Sequence, residues 1–132
     1  MTSLSKNIQD LRERKALVEM GGGEAAIEKQ VAMGKLTARE RIITLLDKNS
    51  FHEYDLFVDH DGRDFGMENK VLRGDGVITG TGTIFGAPIC IYAQDFTVAG
   101  GSLGIKHARK ITKIMDHVLL INCPITGIND SG

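Results

Sequence analysis

The chain reads as an α/β protein in which helices come first and a sheet follows. Three observations predict this. Residues 4–46 carry apolar positions at helical spacing among charges of both signs. Val77–Ile84 and Ala87–Tyr92 are two β-branched runs separated by Phe85-Gly86. The second run then turns through Gln94-Asp95-Phe96-Thr97-Val98-Ala99-Gly100-Gly101-Ser102-Leu103-Gly104 into the longest helical pattern, Ser102 to about Asn122.

Residues 4–20 predict a helix with Leu4, Ile8, Leu11 and Val18 loosely on one side, ended by Gly21-Gly22-Gly23. A phosphate-binding loop would need a lysine and a hydroxyl soon after the glycines, but Glu24-Ala25-Ala26 follows, so a helix break is the better reading. A second helix is expected from Glu24 to Met33. The third starts at a capping box, Thr37-Ala38-Arg39-Glu40, and Ile42, Ile43, Leu45 and Leu46 supply its buried face.

From Phe51 to Lys70 the pattern weakens and reads as loop. His52, His60 and nearby carboxylates lack the tight ligand pairs of a zinc site. His107 and His117 are ten apart, roughly 80° around a helix from each other. No metal is expected. Gly74-Asp75-Gly76 reads as a turn, and the two β-branched runs after it as an antiparallel hairpin. Gly80-Thr81-Gly82 opens like a dinucleotide fingerprint, but Gly86 falls one place too late and these glycines lie inside a strand pattern.

A strand that turns through paired glycines into a helix leaves backbone N–H groups at a helix N-terminus, which favours an anion or a developing oxyanion. Along that helix Ala108, Ile111, Ile114, Met115, Val118 and Leu119 are expected to pack on the sheet. Lys106, Arg109, Lys110 and Lys113 form a basic stripe opposite, read either as a solvated face or as an attractor of a phosphorylated ligand or acidic partner. Pro124 to Asn129 looks like a buried strand, leading into Asp130-Ser131-Gly132.

At 132 residues the chain has the size of one modest domain. A net charge of -1 and the absence of tryptophan argue against a nucleic-acid partner. No stretch approaches the ~20 apolar residues of a membrane span, and Met1 to Asn7 lacks the apolar core of a signal peptide. The expected location is cytoplasmic. Cys90 and Cys123 are the only cysteines. One disulfide is formally possible, but two buried free thiols fit better without secretory features.

Six segments in order resemble one family, from about Val31 to the last residue. They are Gly34-Lys35-Leu36-Thr37-Ala38-Arg39-Glu40-Arg41-Ile42, Tyr54-Asp55-Leu56-Phe57-Val58, Asp64-Phe65-Gly66-Met67-Glu68 and Gly74-Asp75-Gly76-Val77-Ile78-Thr79-Gly80. The last two are Gln94-Asp95-Phe96-Thr97-Val98 with Gly100-Gly101-Ser102-Leu103-Gly104, and Asn129-Asp130-Ser131-Gly132. Together they resemble the opening of the carboxyltransferase subunit of biotin-dependent acyl-CoA carboxylases. The likeness is to the propionyl-CoA carboxylase β and methylmalonyl-CoA decarboxylase α types and to the transcarboxylase carboxyltransferase.

The resemblance implies an incomplete crotonase-like (ClpP/crotonase) spiral of ββα units, with a helical segment at 1–50 and a truncated first carboxyltransferase domain at 51–132. It implies transfer of a carboxyl group between biotin and the α-carbon of an acyl-CoA such as propionyl-CoA or methylmalonyl-CoA, through an enolate held in an oxyanion hole. The backbone of Ala99, Gly100, Gly101 and Gly132 is the implied hole. Lys106, Arg109, Lys110 and Lys113 become candidates for the CoA phosphates. Biotin would arrive on a carrier protein and meet a second domain of a neighbouring subunit in a homo-oligomer. Family members continue past Gly132 with a second glycine and Ala-Arg, so this chain alone is expected to be inactive. A rival reading is a non-catalytic CoA-binding or assembly module.

Overall fold

The computed structural model describes residues 3–132; Met1 and Thr2 of the opening segment lie outside the described residues. Helix α1 spans Ser3–Glu19, α2 Glu24–Ala32 and α3 Ala38–Leu45. Strands β1 (His52–Tyr54), β2 (Val77–Ile84) and β3 (Ala87–Gln94) precede helix α4 (Ile105–Ile121) and strand β4 (Ile125–Ile128). The four strands form an open sheet in sequence order. β1–β2–β3 pair antiparallel, with Gly80 opposite Ile91, and β4 joins β3 in parallel with Cys90 opposite Ile125.

A parallel neighbour cannot be reached by a tight turn, so α4 serves as the crossover between β3 and β4. This β2–β3–α4–β4 run is the ββα unit that the resemblance implies, on an open, incomplete sheet.

Period-two alternation along β3 divides the core. Ile89, Ile91 and Ala93 face α3, where Ala38, Ile42 and Leu46 close one cluster with Ile78. Cys90 faces the other way, toward Ile114 of α4 and Cys123. The two thiols are free, with Sγ atoms 3.5 Å apart. Burial pushes the Cys90 thiol up to about 12, so it stays protonated.

Several expectations need correction. β1 lies where loop was expected: its three residues pair along β2, with Arg39 of α3 clamping Glu53 through two bonds of 2.6 and 3.0 Å. His60 lies in the loop, half-buried, with its Nε2 meeting the Lys70 carbonyl at 2.8 Å and its Nδ1 accepting from the Gly62 N–H at 3.2 Å. In α3 only the i, i+4, i+8 row reaches the sheet, which leaves Ile43 and Leu45 exposed. No residue of α1 is buried, and Leu4, Ile8 and Leu11 face solvent. α4 begins at Ile105, after the extended residues Ser102–Gly104, and it packs through His107, Lys110 and Ile114 while Met115 and Leu119 remain exposed.

Candidate functional site

The turn after β3 is assembled from short polar clasps. Asp95 Oδ1 accepts from the Thr97 N–H at 3.0 Å and from its hydroxyl at 2.6 Å. The Gly22 N–H in turn donates to Thr97 Oγ1 at 3.1 Å. Gly21-Gly22-Gly23 is therefore more than a helix break: a Cβ on Gly22 would stand 1.8 Å from the Thr97 carbonyl oxygen. Next come Ala99, Gly100 and Gly101 with φ of 48°, 64° and 67°. Holding an alanine in that left-handed region costs about 1 kcal/mol, and such strain gathers at working sites.

The four residues expected to donate to an oxyanion divide into two pairs. The Gly101 N–H is spent on the Val98 carbonyl at 2.9 Å, and the Gly132 N–H on the Gly100 carbonyl at 3.0 Å. The N–H groups of Ala99 and Gly100 have no acceptor among the described residues. The last segment does reach the turn: a Cβ on Gly101 would lie 2.2 Å from the Asp130 carbonyl oxygen, so only glycine admits the approach.

The N-terminus of α4 is not an open anion seat. Asp75, held at φ 47° inside the Gly74-Asp75-Gly76 turn, accepts from the His107 N–H through Oδ2 at 2.8 Å. Its carboxylate also fills the space beside Gly104, where a Cβ would come within 2.5 Å. The protein supplies its own anion to this helix. The free donors sit one step earlier, in the glycine turn.

A buried polar chain ties the turn to its surroundings. His107 is fully buried, and its Nδ1 lies 2.9 Å from the Asp75 carbonyl oxygen. A carbonyl only accepts, so Nδ1 carries the proton and Nε2 accepts from Gln94 Nε2 at 3.4 Å. Burial pushes the His107 imidazole below its ordinary value, favouring this neutral form. The other end of the Gln94 amide, Oε1, accepts from the Asp130 N–H at 3.1 Å. The Asp130 carboxylate is held by Lys35 at 2.8 Å and Arg41 at 3.0 Å. The Lys35 hydrogen bond first, then Arg41, draws its pKa below the usual carboxylate value.

The basic stripe does not form one surface. Lys110 is 3% exposed, its ammonium donating to the carbonyls of Gly74 (3.0 Å) and Val77. Burial lowers its pKa to about 8. Lys106 pairs with Asp61 at 3.5 Å and Lys113 with Asp55 at 2.8 Å. Arg109 is exposed and makes no ion pair among the described residues. Lys106, Arg109 and Lys113 thus remain at the surface, while Lys110 holds the turn that carries Asp75.

Two pockets flank the glycine turn. One, of about 300 Å³, is lined by Met67, Leu72, Ala99, Leu103, Gly104 and Ile105 and is largely apolar. The other, of about 260 Å³, lies between α2 and the turn and includes Gln30, Phe96 and Gly100. No cluster of three or more His, Cys, Asp or Glu positioned for a metal ion occurs among the described residues.

This arrangement of sheet, crossover helix and glycine turn has a counterpart among known proteins. Residues 29–132 match the carboxyl transferase domain family, to which the chain belongs. It is 52% identical to the methylmalonyl-CoA decarboxylase subunit alpha of Veillonella parvula, across the whole chain and 26% of that protein. It is 50% identical to the mitochondrial propionyl-CoA carboxylase beta chain of Homo sapiens, over 99% of this chain and 24% of that one. In structure it superposes with a TM-score of 0.97 at 42% identity on the transcarboxylase 12S hexamer core crystallised with methylmalonyl-coenzyme A and methylmalonic acid. That match covers all of this chain and 26% of the other. The chain spans about a quarter of the length of these relatives.

Sequence reasoning missed Asp75, His107 and Gln94 as the frame of the site. Asp75 and Gln94 were visible only as members of the Gly74–Gly80 and Gln94–Gly104 segments, with no role attached, and His107 only as a histidine at the third position of a helix.

Proposed function

We propose that this chain forms the acyl-CoA half of a carboxyltransferase site, for a short acyl thioester of the propionyl-CoA or methylmalonyl-CoA kind. The observation that carries the reading is the pair of unspent N–H groups, Ala99 and Gly100, on a strained turn beside a largely apolar pocket. Removing a proton from the α-carbon of an acyl thioester builds negative charge on the carbonyl oxygen, and preorganised backbone donors stabilise it; losing one costs about 3 kcal/mol. Asp75, His107 and Gln94 hold those donors in place. Biotin, on a partner carrier protein, would supply or accept the carboxyl group at a domain beyond this chain, within a homo-oligomer. The Gly101 and Gly132 amides serve as clasps in the present geometry, with Gly132 bound to the turn itself.

Lys106, Arg109 and Lys113 are the surface cations proposed to meet the CoA phosphates. A cytoplasmic or otherwise reducing compartment suits two free thiols 3.5 Å apart. No described helix is long and apolar enough to cross a membrane.

The reading is tested by titrating the isotope-labelled chain with propionyl-CoA and following backbone amides by NMR. The Ala99 amide should shift on saturation, with those of Leu103 and Ile105. Combining Lys106→Glu with Arg109→Glu should weaken binding at least tenfold. Absence of any shift at Ala99 with millimolar propionyl-CoA would falsify the acyl-CoA role and leave the assembly-module alternative.

A further inference from the structure

Cys90 and Cys123 are the only cysteines of the chain, and the fold buries them against each other. Their Sγ atoms stand 3.5 Å apart although 33 positions separate them in sequence. Cys90 lies within β3 and is 0% exposed. Cys123, in the connection from α4 to β4, is 9% exposed and so is the one nearer solvent. Ile114, Val118, Tyr54 and Ile125 pack around the pair. The backbone already holds the two residues in register, since the Cys90 N–H donates to the Pro124 carbonyl at 2.9 Å. Bonded sulfurs lie about 2.05 Å apart, so the remaining gap is within reach of small side-chain rotations.

The place of the pair in the sheet gives such a bond a consequence. Among the described residues β4 pairs only with β3, through the four residues Ile125 to Ile128. Beyond its far end the Asp130 N–H meets Gln94 Oε1 and the Gly132 N–H meets the Gly100 carbonyl, which closes the glycine turn. A covalent link at Cys123 stands at the entrance to β4, and these hydrogen bonds stand at its exit.

We propose that Cys90 and Cys123 are a dithiol that a peroxide oxidises to a reversible disulfide, pinning β4 to β3 and with it the segment that closes the glycine turn. The Cys123 sulfur attacks one oxygen of hydrogen peroxide. An S–O bond forms, the O–O bond breaks, and the departing oxygen leaves as water with the Cys123 proton. The Cys90 sulfur then attacks the sulfenic sulfur. The S–S bond forms, the S–O bond breaks, and hydroxide leaves as water with the Cys90 proton. Both thiols are oxidised and the peroxide is reduced to water. The buried, largely apolar site favours the neutral disulfide over a charged sulfinate. In a reducing compartment the pair rests as free thiols and bonds when peroxide rises.

The test exposes the folded, fully reduced 132-residue chain to hydrogen peroxide and digests it without reductant. The peptides carrying Cys90 and Cys123 should be recovered joined, and dithiothreitol should separate them. The joined chain should unfold at a urea concentration higher by about 1 M or more, because the bond closes a long loop of the unfolded chain. Its Asp130 and Gly132 amides should exchange with deuterium about tenfold more slowly, as local opening of β4 is suppressed. Cys123→Ala given the same peroxide should show neither gain, which separates the bond from methionine oxidation. The proposal is overturned if both thiols survive in the folded chain at a dose that oxidises the urea-unfolded chain. It is equally overturned if oxygen is added at either sulfur in place of a bond, or if the joined peptides come from two chains. A joined chain whose Asp130 and Gly132 amides exchange as fast as before would remove the pinning of β4 and overturn it too.

Discussion

Helices α3 and α4 both begin beside a carboxylate, and the source of that carboxylate differs. At α3, Thr37 Oγ1 accepts from the Glu40 N–H at 3.2 Å and Glu40 Oε2 accepts from the Thr37 N–H at 2.8 Å, a reciprocal cap closed within four residues. At α4 no residue of the preceding loop caps the helix with its side chain, and the acceptor is Asp75, thirty-two positions upstream. The first cap is exposed and serves one helix. The second is buried and joins β2, the glycine turn and the crossover helix. A local cap sets where a helix starts; a remote cap sets where the helix sits relative to the site.

The largest expected effect comes from cutting the remote cap. Asp75→Ala removes a charged acceptor from a buried helix start and should cost about 3 kcal/mol in urea unfolding. Asp75→Asn keeps an acceptor and tolerates the left-handed backbone, so it should recover more than half of that loss. Equal losses in the two variants would mean that charge, rather than the hydrogen bond, dominates.

Lys110→Met should follow, at about 2 kcal/mol, because it leaves the Gly74 and Val77 carbonyls of the Asp75 turn without a donor. The same residue makes the remote cap sensitive to alkali. Its folded pKa of about 8 lies below the ordinary 10.5, so between those values the unfolded chain binds the extra proton. The Lys110 contribution therefore raises stability as pH climbs through that window. Subtracting the Lys110→Met unfolding profile from that of the parent should reveal this rise; a flat difference would place the titration elsewhere.

Thr37→Ala tests the local cap and should cost about 1 kcal/mol without moving the Ala99 or Gly100 amide signals. Movement of those signals would erase the distinction between the two caps. Smallest is the acid response of the hairpin. Asp47 accepts from Thr83, Gly86 and Phe85, the Thr83 hydroxyl chiefly lowering its pKa below 3.8. Its folded pKa is depressed, so its contribution is full above the unfolded value and fades as pH falls below it. Asp47→Asn should flatten the acid limb of the stability profile slightly.

The same contrast explains what was legible in the sequence. Thr37-Ala38-Arg39-Glu40 announces its cap because both partners lie within one turn, and the β2–β3 hairpin announces itself through β-branched residues around Phe85-Gly86. β1 escaped notice because three mixed residues carry no periodicity and owe their place to pairing with Thr79–Thr81. On α4, hydrophobicity alone pointed to Met115 and Leu119, whereas His107 and Lys110 bury themselves against backbone carbonyls of the Gly74–Val77 turn. A buried polar side chain is recognisable only from its partners, and those lie more than thirty residues away. The glycine turn was visible as a motif. Which of its N–H groups remain unspent was not, because Val98 and the Gly132 segment decide it.

The parallel pairing of β4 with β3 also governs the order of assembly. The hairpin can close through contacts near in sequence, but Asp130 meets Gln94 and Gly132 meets Gly100 only after the whole crossover helix has formed and docked. As the chain leaves the ribosome, the strand and turn emerge first and wait for their clasp. Until β4 arrives, Gln94 Oε1 and the Gly100 carbonyl lack these donors, so the Asp130 and Gly132 amides should be among the last in the molecule to gain protection from hydrogen exchange.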